Sequence, residues 1–310
     1  MADPPEKRVQ RTPDGDSIDR LSALSDCVLL HSLSLLKTKE AAATSILSTR
    51  WRNLFVSLPD IDLCFCVDDD ASDRDRLFYQ FTHFSNRVIE QRNTAPIRKI
   101  RLRVEHFVER YRLAFESLLI SAAAAISTYS VDQLRISVEM DTTEKFSVLF
   151  PPGIFSSETI VSLSLNLDVG WNVPDFVWLP NLKYLYLMRF TLVDEDSIQR
   201  FLQGCPLLEH LILTVQPFSY ESESEEGIEV EVLHISSPSL KSLVLSWNAK
   251  VELEFTVVVQ SENLESLVCS LKGQHKVTID APNLKSLTVE GDVLEVHINQ
   301  SLVSIDKAVV

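Results

Sequence analysis

Cys64 and Cys66 are the closest pair of soft metal ligands in the chain. A zinc site needs four ligands at usable spacing, and no second cysteine or histidine pair accompanies these two. The seven histidines (His31, His83, His106, His210, His234, His275 and His297) are scattered and never paired at ligand spacing. Five cysteines, an odd number, behind an N-terminus with no apolar signal-peptide core predict structural thiols and no disulfide framework. The acidic cluster from Asp68 to Asp75 lacks the turn glycine and closing glutamate of an EF-hand loop. It predicts a solvated connector.

Enzyme signatures are equally sparse. With only seven glycines, the chain has no G-x-G-x-x-G or Walker loop to cradle phosphates, and neither H-E-x-x-H nor G-x-S-x-G occurs. No metal, cofactor or catalytic centre is expected. The formal charge of −15 argues against general nucleic-acid binding, which works by neutralising phosphates. One basic exception runs from Arg87 to Arg112 and includes Arg92, Arg98, Lys99, Arg101 and Arg103. In Arg101-Leu102-Arg103-Val104 the charges alternate with apolar residues, which predicts the wet face of a strand.

The chemistry left is that of contact. Between Asp19 and Phe55 the sequence predicts three short helices. Ser25 and Asp26 suit a helix start, and Leu29, Leu30, Leu33 and Leu36 recur at three- and four-residue spacing as one apolar stripe. Thr38 is placed to cap a second helix carrying Glu40, Ala41, Ala42, Ala43, Ile46 and Leu47. Ser48 or Thr49 is placed to cap a third with Arg50, Trp51, Leu54 and Phe55. So small a unit cannot hide all its large residues in a core of its own. The excess implies a partner.

This stretch resembles the F-box, in the plant version that precedes leucine-rich repeats. The matching residues are Asp19-Arg20-Leu21-Ser22-x-Leu24, Leu29-Leu30-x-x-Leu33-Ser34, Thr38-Lys39-x-Ala41 and Thr44-Ser45-x-Leu47-Ser48-x-Arg50-Trp51-x-x-Leu54. Ser25 and Lys37 stand where the family has prolines and Phe55 where tryptophan is common, so weaker adaptor binding is expected. The resemblance implies docking on a Skp-type adaptor, and through it on a cullin ubiquitin ligase. Leu21, Leu24, Leu29, Leu33, Arg50 and Trp51 are the implied adaptor-contact residues.

Around this unit, the 310 residues, 45% hydrophobic, have room for a large core. No run approaches the roughly eighteen apolar residues of a membrane helix. Residues 1–18 are polar, with Pro4, Pro5 and Pro13, and predict a disordered leader without a targeting signal. A cytoplasmic or nuclear protein without membrane partners follows as the expectation. Residues 19–60 form the F-box unit, and 61–310 a second domain.

That domain opens with an amphipathic helix (Leu77, Phe78, Phe81, Phe84, Val88, Ile89), a strand (Ile100, Leu102, Val104), a helix over Phe115 to Ile126 and a strand over Leu134 to Val138. A short phrase then returns: Pro180-Asn-Leu182-Lys-Tyr-Leu185-Tyr-Leu187, Pro206-Leu-Leu208-Glu-His-Leu211-Ile-Leu213 and Pro238-Ser-Leu240-Lys-Ser-Leu243-Val-Leu245. It continues as Glu262-Asn-Leu264-Glu-Ser-Leu267-Val-Cys269 and Pro282-Asn-Leu284-Lys-Ser-Leu287-Thr-Val289. Ile160 to Leu165 is an earlier copy, and Leu302-Val-Ser-Ile305 a candidate terminal one. The period is that of leucine-rich repeats.

Each L-x-x-L-x-L sends its leucines inward, and copies must stack into a curved solenoid with a parallel sheet on the concave face. The fold class is therefore α/β: a three-helix F-box followed by an irregular leucine-rich-repeat solenoid. The asparagine of the usual ladder is kept only at Asn248, so irregular turns are expected. The acidic insertion from Glu221 to Gly227 is a solvated loop, or a contact for a basic partner with Ser222 and Ser224 as phosphorylation sites. Many family members carry an additional FBD module, and this chain, stopping at Ala308-Val309-Val310 without one, is either a short member or a truncated one.

The resemblance implies a substrate-recognition subunit of an SCF-type (Skp-cullin-F-box) ubiquitin ligase, with the catalysis on other subunits. A non-degradative interaction scaffold is the alternative. A protein substrate would meet the outward side chains of the repeat strands, Tyr184, Tyr186 and Met188 beside His210 and Ile212, because alternate strand residues share a face.

Overall fold

A computed structural model describes residues 21, 23–67, 73–92, 95–140, 146–170, 173–191, 196–216, 232–248, 256–299 and 307–309. The leader, the acidic insertion at 221–227 and the candidate terminal copy at 302–305 lie outside the described residues, as does the side chain of Asn248.

Three helices come first: α1 (Asp26–Ser34), α2 (Thr38–Ala43) and α3 (Thr49–Val56). Ser48 caps α3, its hydroxyl accepting from the Trp51 N–H at 3.4 Å. Thr38 does not cap α2. The helix starts one residue earlier, where Glu40 reaches back to accept from the Lys37 N–H at 3.2 Å. This frees the Thr38 hydroxyl to accept from the Asp62 N–H at 2.8 Å, tying the helical unit to the strand that follows. The second helix is also shorter than expected. Thr44–Ile46 tightens into a 3-10 turn, and Ile46 and Leu47 face outward. Leu29, Leu33, Ala41, Trp51, Leu54 and Leu58 make a small core of their own.

The remainder alternates sheet strands with backing elements. β1 (Asp60–Phe65) leads out of the helical unit, and α4 (Arg74–Glu90), β2 (Lys99–Phe107), α5 (Arg112–Thr128) and β3 (Gln133–Met140) fall where the apolar periodicity puts them. Then come β4 (Ser162–Leu167), β5 (Tyr184–Thr191), α6 (Ser197–Gln203), β6 (His210–Gln216), β7 (Val232–Ser236) and β8 (Ser242–Asn248). β9 (Thr256–Gln260), β10 (Ser266–Asp280), β11 (Ser286–Ile298) and β12 (Lys307–Val309) complete the set. The described strands form one parallel sheet in the order β1-β2-β3-β4-β5-β6-β8-β10-β11-β12, with β7 and β9 joined through β10. Mixed α/β secondary structure, parallel throughout and stepping in sequence order, is the solenoid arrangement of leucine-rich repeats.

The register runs through Leu63, Leu102, Ile136, Leu165, Leu187, Leu213, Leu245, Cys269 and Val289, one from each successive strand and every one buried. A side chain that alternates inward on each strand gives a continuous core only if copies stack, which fixes the pairing. The backing changes along the chain. α4 and α5 cover the first repeats, whereas β7, β9 and the second half of β10 form a second ladder behind the last ones. β10 shifts register between Leu271 and His275 to pass from one ladder to the other.

The expectation of structural thiols is corrected at one pair of cysteines and met at two others. Cys64 and Cys66 are joined by a disulfide. Residues two apart on an extended strand point the same way, and the 5.8 Å between their Cα atoms lies within bridging range. Cys205 and Cys269 are buried thiols, pushed up to about 12 by desolvation, which makes them unreactive fillers of the core.

Candidate functional sites

The three-helix unit divides the implied adaptor residues into two groups. Leu29 and Leu33 are only 1% exposed and fill the small core, with Trp51 buried beside them. Leu29 and Leu33 thus pack within the unit and hold its shape. Leu21 and Leu24 are exposed. Arg50 works within the unit. Its guanidinium donates to the Asp26 carboxylate at 2.6 and 2.8 Å and to the Leu24 carbonyl at 2.6 Å, fastening α3 to the start of α1.

Of the larger exposed apolar groups on this unit, Leu36 alone belongs to the apolar stripe. Val28 on α1, Leu35 (74% exposed) and Leu36 after it, and Ile46 (89% exposed) and Leu47 at the 3-10 turn all face solvent. Together with Leu21 and Leu24 they leave an apolar surface on a unit of under forty residues. Such a surface marks an interaction site. Sequence spacing identified the apolar residues but not which of them a three-helix core leaves outside.

The joint to the sheet is built on Arg92. Part of the basic stretch in the sequence, it is 1% exposed. It donates to the Val56, Leu58 and Val88 carbonyls and lies 5.7 Å from the centre of the Phe55 ring. Burial lowers its pKa to about 10, so it stays charged at neutral pH.

On the open face of the sheet the register puts Tyr184 beside His210 and Tyr186 beside Ile212, as the alternation of the repeat phrase requires. Tyr184 is 38% exposed, and its ring stacks on His210 with centroids 4.9 Å apart and planes 1° apart. Met188, also exposed, pairs with Asn166 of β4. Beyond it Arg189 takes a positive φ of 58° and forms an ion pair with Asp168. Val244 and Val268 continue the Tyr186–Ile212 row on β8 and β10. Towards the other end the same rows carry Lys99, Arg101 and Arg135. The expected wet face of β2 is observed: Arg101 and Arg103 are exposed while Leu102 and Val104 are buried.

Among the described residues no cluster of three or more His, Cys, Asp or Glu is placed to hold a metal, and no helix is long and apolar enough to cross a membrane. His275 is buried next to Trp247, its ring nitrogen bonded to the Lys272 carbonyl at 2.9 Å, and desolvation lowers its pKa. It sits in the bend of β10, away from the open face.

A family profile described as the leucine-rich repeats of FBD-associated F-box protein At5g56370 matches residues 124–308, more than half of the chain. The chain belongs to the plant F-box/leucine-rich-repeat family. F-box/LRR-repeat protein At2g42720 of Arabidopsis thaliana is 33% identical over 81% of this chain and 57% of its own length. F-box/LRR-repeat protein At4g14096 is 31% identical over 79% of this chain and 48% of its own, and FBD-associated F-box protein At4g13985 is 30% identical over 86% and 55%, both from the same plant. The chain thus spans about half the length of the curated relatives it matches. No solved structure matches it.

Proposed function

We propose that this F-box/leucine-rich-repeat protein is the substrate-recognition subunit of an SCF-type ubiquitin ligase, working in the cytoplasm or nucleus. Its three-helix unit would dock on a Skp-type adaptor and, through that, on a cullin. Its open sheet face would hold a target protein. The chain itself would supply no catalytic group, since binding alone raises the target's effective concentration near the ubiquitin-charged enzyme.

One observation carries this reading: a small helical unit with its own core still leaves Leu35 and Ile46 almost fully exposed. Burying such side chains is worth about 1.5–3 kcal/mol each. The test is capture of a purified Skp-type adaptor by the full chain. Leu35→Asp with Ile46→Asp should abolish capture while leaving the fold intact, because neither residue belongs to a core. A folded double variant that captures adaptor at the wild-type level would refute the docking face. Adaptor capture without any ubiquitylation of a bound target would favour the scaffold instead.

A further inference from the structure

Charge is unevenly spread over the open face. The turn between α1 and α2 stands beside the β1–β4 end of the sheet, and the two line a groove of about 510 Å³. Leu36 and Lys37 form part of one wall, and the outward side chains of Lys99, Arg101, Arg135 and Ser164 lie along the sheet. The groove also contains Asp60 and Asp62, and both are already engaged, with Arg98 at 3.4 Å and Arg101 at 2.8 Å. The side chains of Lys37, Lys99 and Arg135 form no ion pair among the described residues. On a chain of net charge −15 this is a local basic site. Clustered like charges in a cleft repel one another and draw in ligands of opposite sign.

The groove opens onto the aromatic stripe. Ser162 and Ser164 line its far edge, and their register partners are Tyr184 and Tyr186. Along one row the successive partners are Arg101, Arg135, Ser164 and Tyr186. Three inter-strand steps of about 4.8 Å separate Arg101 from Tyr186 by about 14 Å, which about four residues of extended peptide span. The cations are distributed over neighbouring strands and do not converge on one point. That arrangement suits a run of carboxylates better than a single phosphate.

We infer that the target is held through an acidic peptide segment laid across β1 to β5. Its carboxylates lie on Lys37, Lys99 and Arg135, and an aromatic or aliphatic side chain about four residues away packs against Tyr184 and Tyr186. The inference rests on the receptor reading above and gives its substrate a chemical class.

The test is fluorescence anisotropy with the full chain and a labelled peptide: a run of glutamates, a short Ser-Gly spacer and a phenylalanine. At low salt this probe should bind at least about tenfold more tightly than its glutamine counterpart, and added salt should erase the difference. Arg135→Glu with Lys99→Glu should remove the glutamate preference. Tyr184→Ser with Tyr186→Ser should remove the contribution of the phenylalanine and leave the salt dependence. Circular dichroism on each variant checks that the fold is intact. Equal binding of the glutamine peptide, or unchanged affinity after charge reversal, overturns the inference. So does binding confined to a probe with one phosphoserine in place of the glutamates. Adaptor capture is measured on the same samples. Lost peptide binding with adaptor still captured defeats only the inference, whereas no adaptor capture by the wild type defeats the receptor reading and leaves the peptide result standing.

Discussion

From β1 to β3, each return of the chain to the open sheet is backed by a helix of 17 residues; behind β8 and β10 the backing is a strand of five. The distance between register-equivalent positions shrinks accordingly, from 39 residues between Leu63 and Leu102 to 20 between Cys269 and Val289. Composition selects the backing. α5 is built on Leu118, Leu119 and the run Ala122 to Ala125, which favour helix. Thr256-Val257-Val258-Val259 and Val277-Thr278-Ile279 are β-branched and prefer the strand. The filling differs too. Phe78 stacks on Tyr111 at 4.0 Å and meets Phe65 edge-on at 5.1 Å, while Val257, Val259, Val277 and Ile279 fill the later repeats. A repeat period is therefore an outcome of what must stand behind the strand, and it varies freely as long as the inward leucines stay in register.

The largest test of this contrast is Phe78→Ala, which should cost about 3–5 kcal/mol, against about 1–3 for Val277→Ala in the strand-backed region. Urea unfolding of the two variants gives the ratio, and equal losses would mean the backing makes no difference to the core. Next comes Gly291→Val. Gly291 adopts φ 113°, and a Cβ there would collide with the Leu271 carbonyl on the neighbouring strand. A loss of about 1–3 kcal/mol is expected, with amide exchange rising in β10 and β11 but not in α4 and α5. Uniform exchange along the whole chain would show that the two regions unfold as one. Arg92→Met should cost a similar or smaller amount, about 1–3 kcal/mol, by orphaning the Val56 and Leu58 carbonyls. Its signature is an early thermal transition of the three-helix unit.

The smallest effect concerns pH and is confined to the helix-backed region. The Tyr111 hydroxyl donates to Asp75 at 2.5 Å, holding that carboxyl below its ordinary range, with Arg110 adding to the shift. A group whose pKa is depressed on folding stabilises above its unfolded pKa, and the contribution fades as pH falls through the folded value. Tyr111→Phe should therefore lower Tm at neutral pH, with the gap to wild type narrowing below about pH 4. A gap that stays constant into acid would show that the hydrogen bond, not the charge, sets the difference.

Much of this was legible in the sequence. The repeat phrase alone locates the open-face strands and puts Tyr184 next to His210, because a period of two leaves no other choice of face. The second ladder is less legible, although its signal is present in the valine run at 257–259. Five-residue strands between longer landmarks are easily taken for turn. Arg92 escaped for another reason. Its burial depends on three carbonyls, two of them more than thirty residues away in sequence. The outward leucines of the helical unit escaped because spacing reports that a residue is apolar and cannot say which side of a very small core it lands on.

Arg92 has a mechanical consequence. Only a few residues separate the end of α3 at Val56 from the start of β1 at Asp60, and a buried cation bolts that crossing to α4. The Thr38 hydroxyl makes a second fastening on the other side. Under the proposed function, whatever the helices gripped would be presented to whatever the sheet gripped at a set angle, as with two tools on one handle. The distance between two such cargoes would be built into the chain, and lengthening the crossing by a few flexible residues would blur it without weakening either grip.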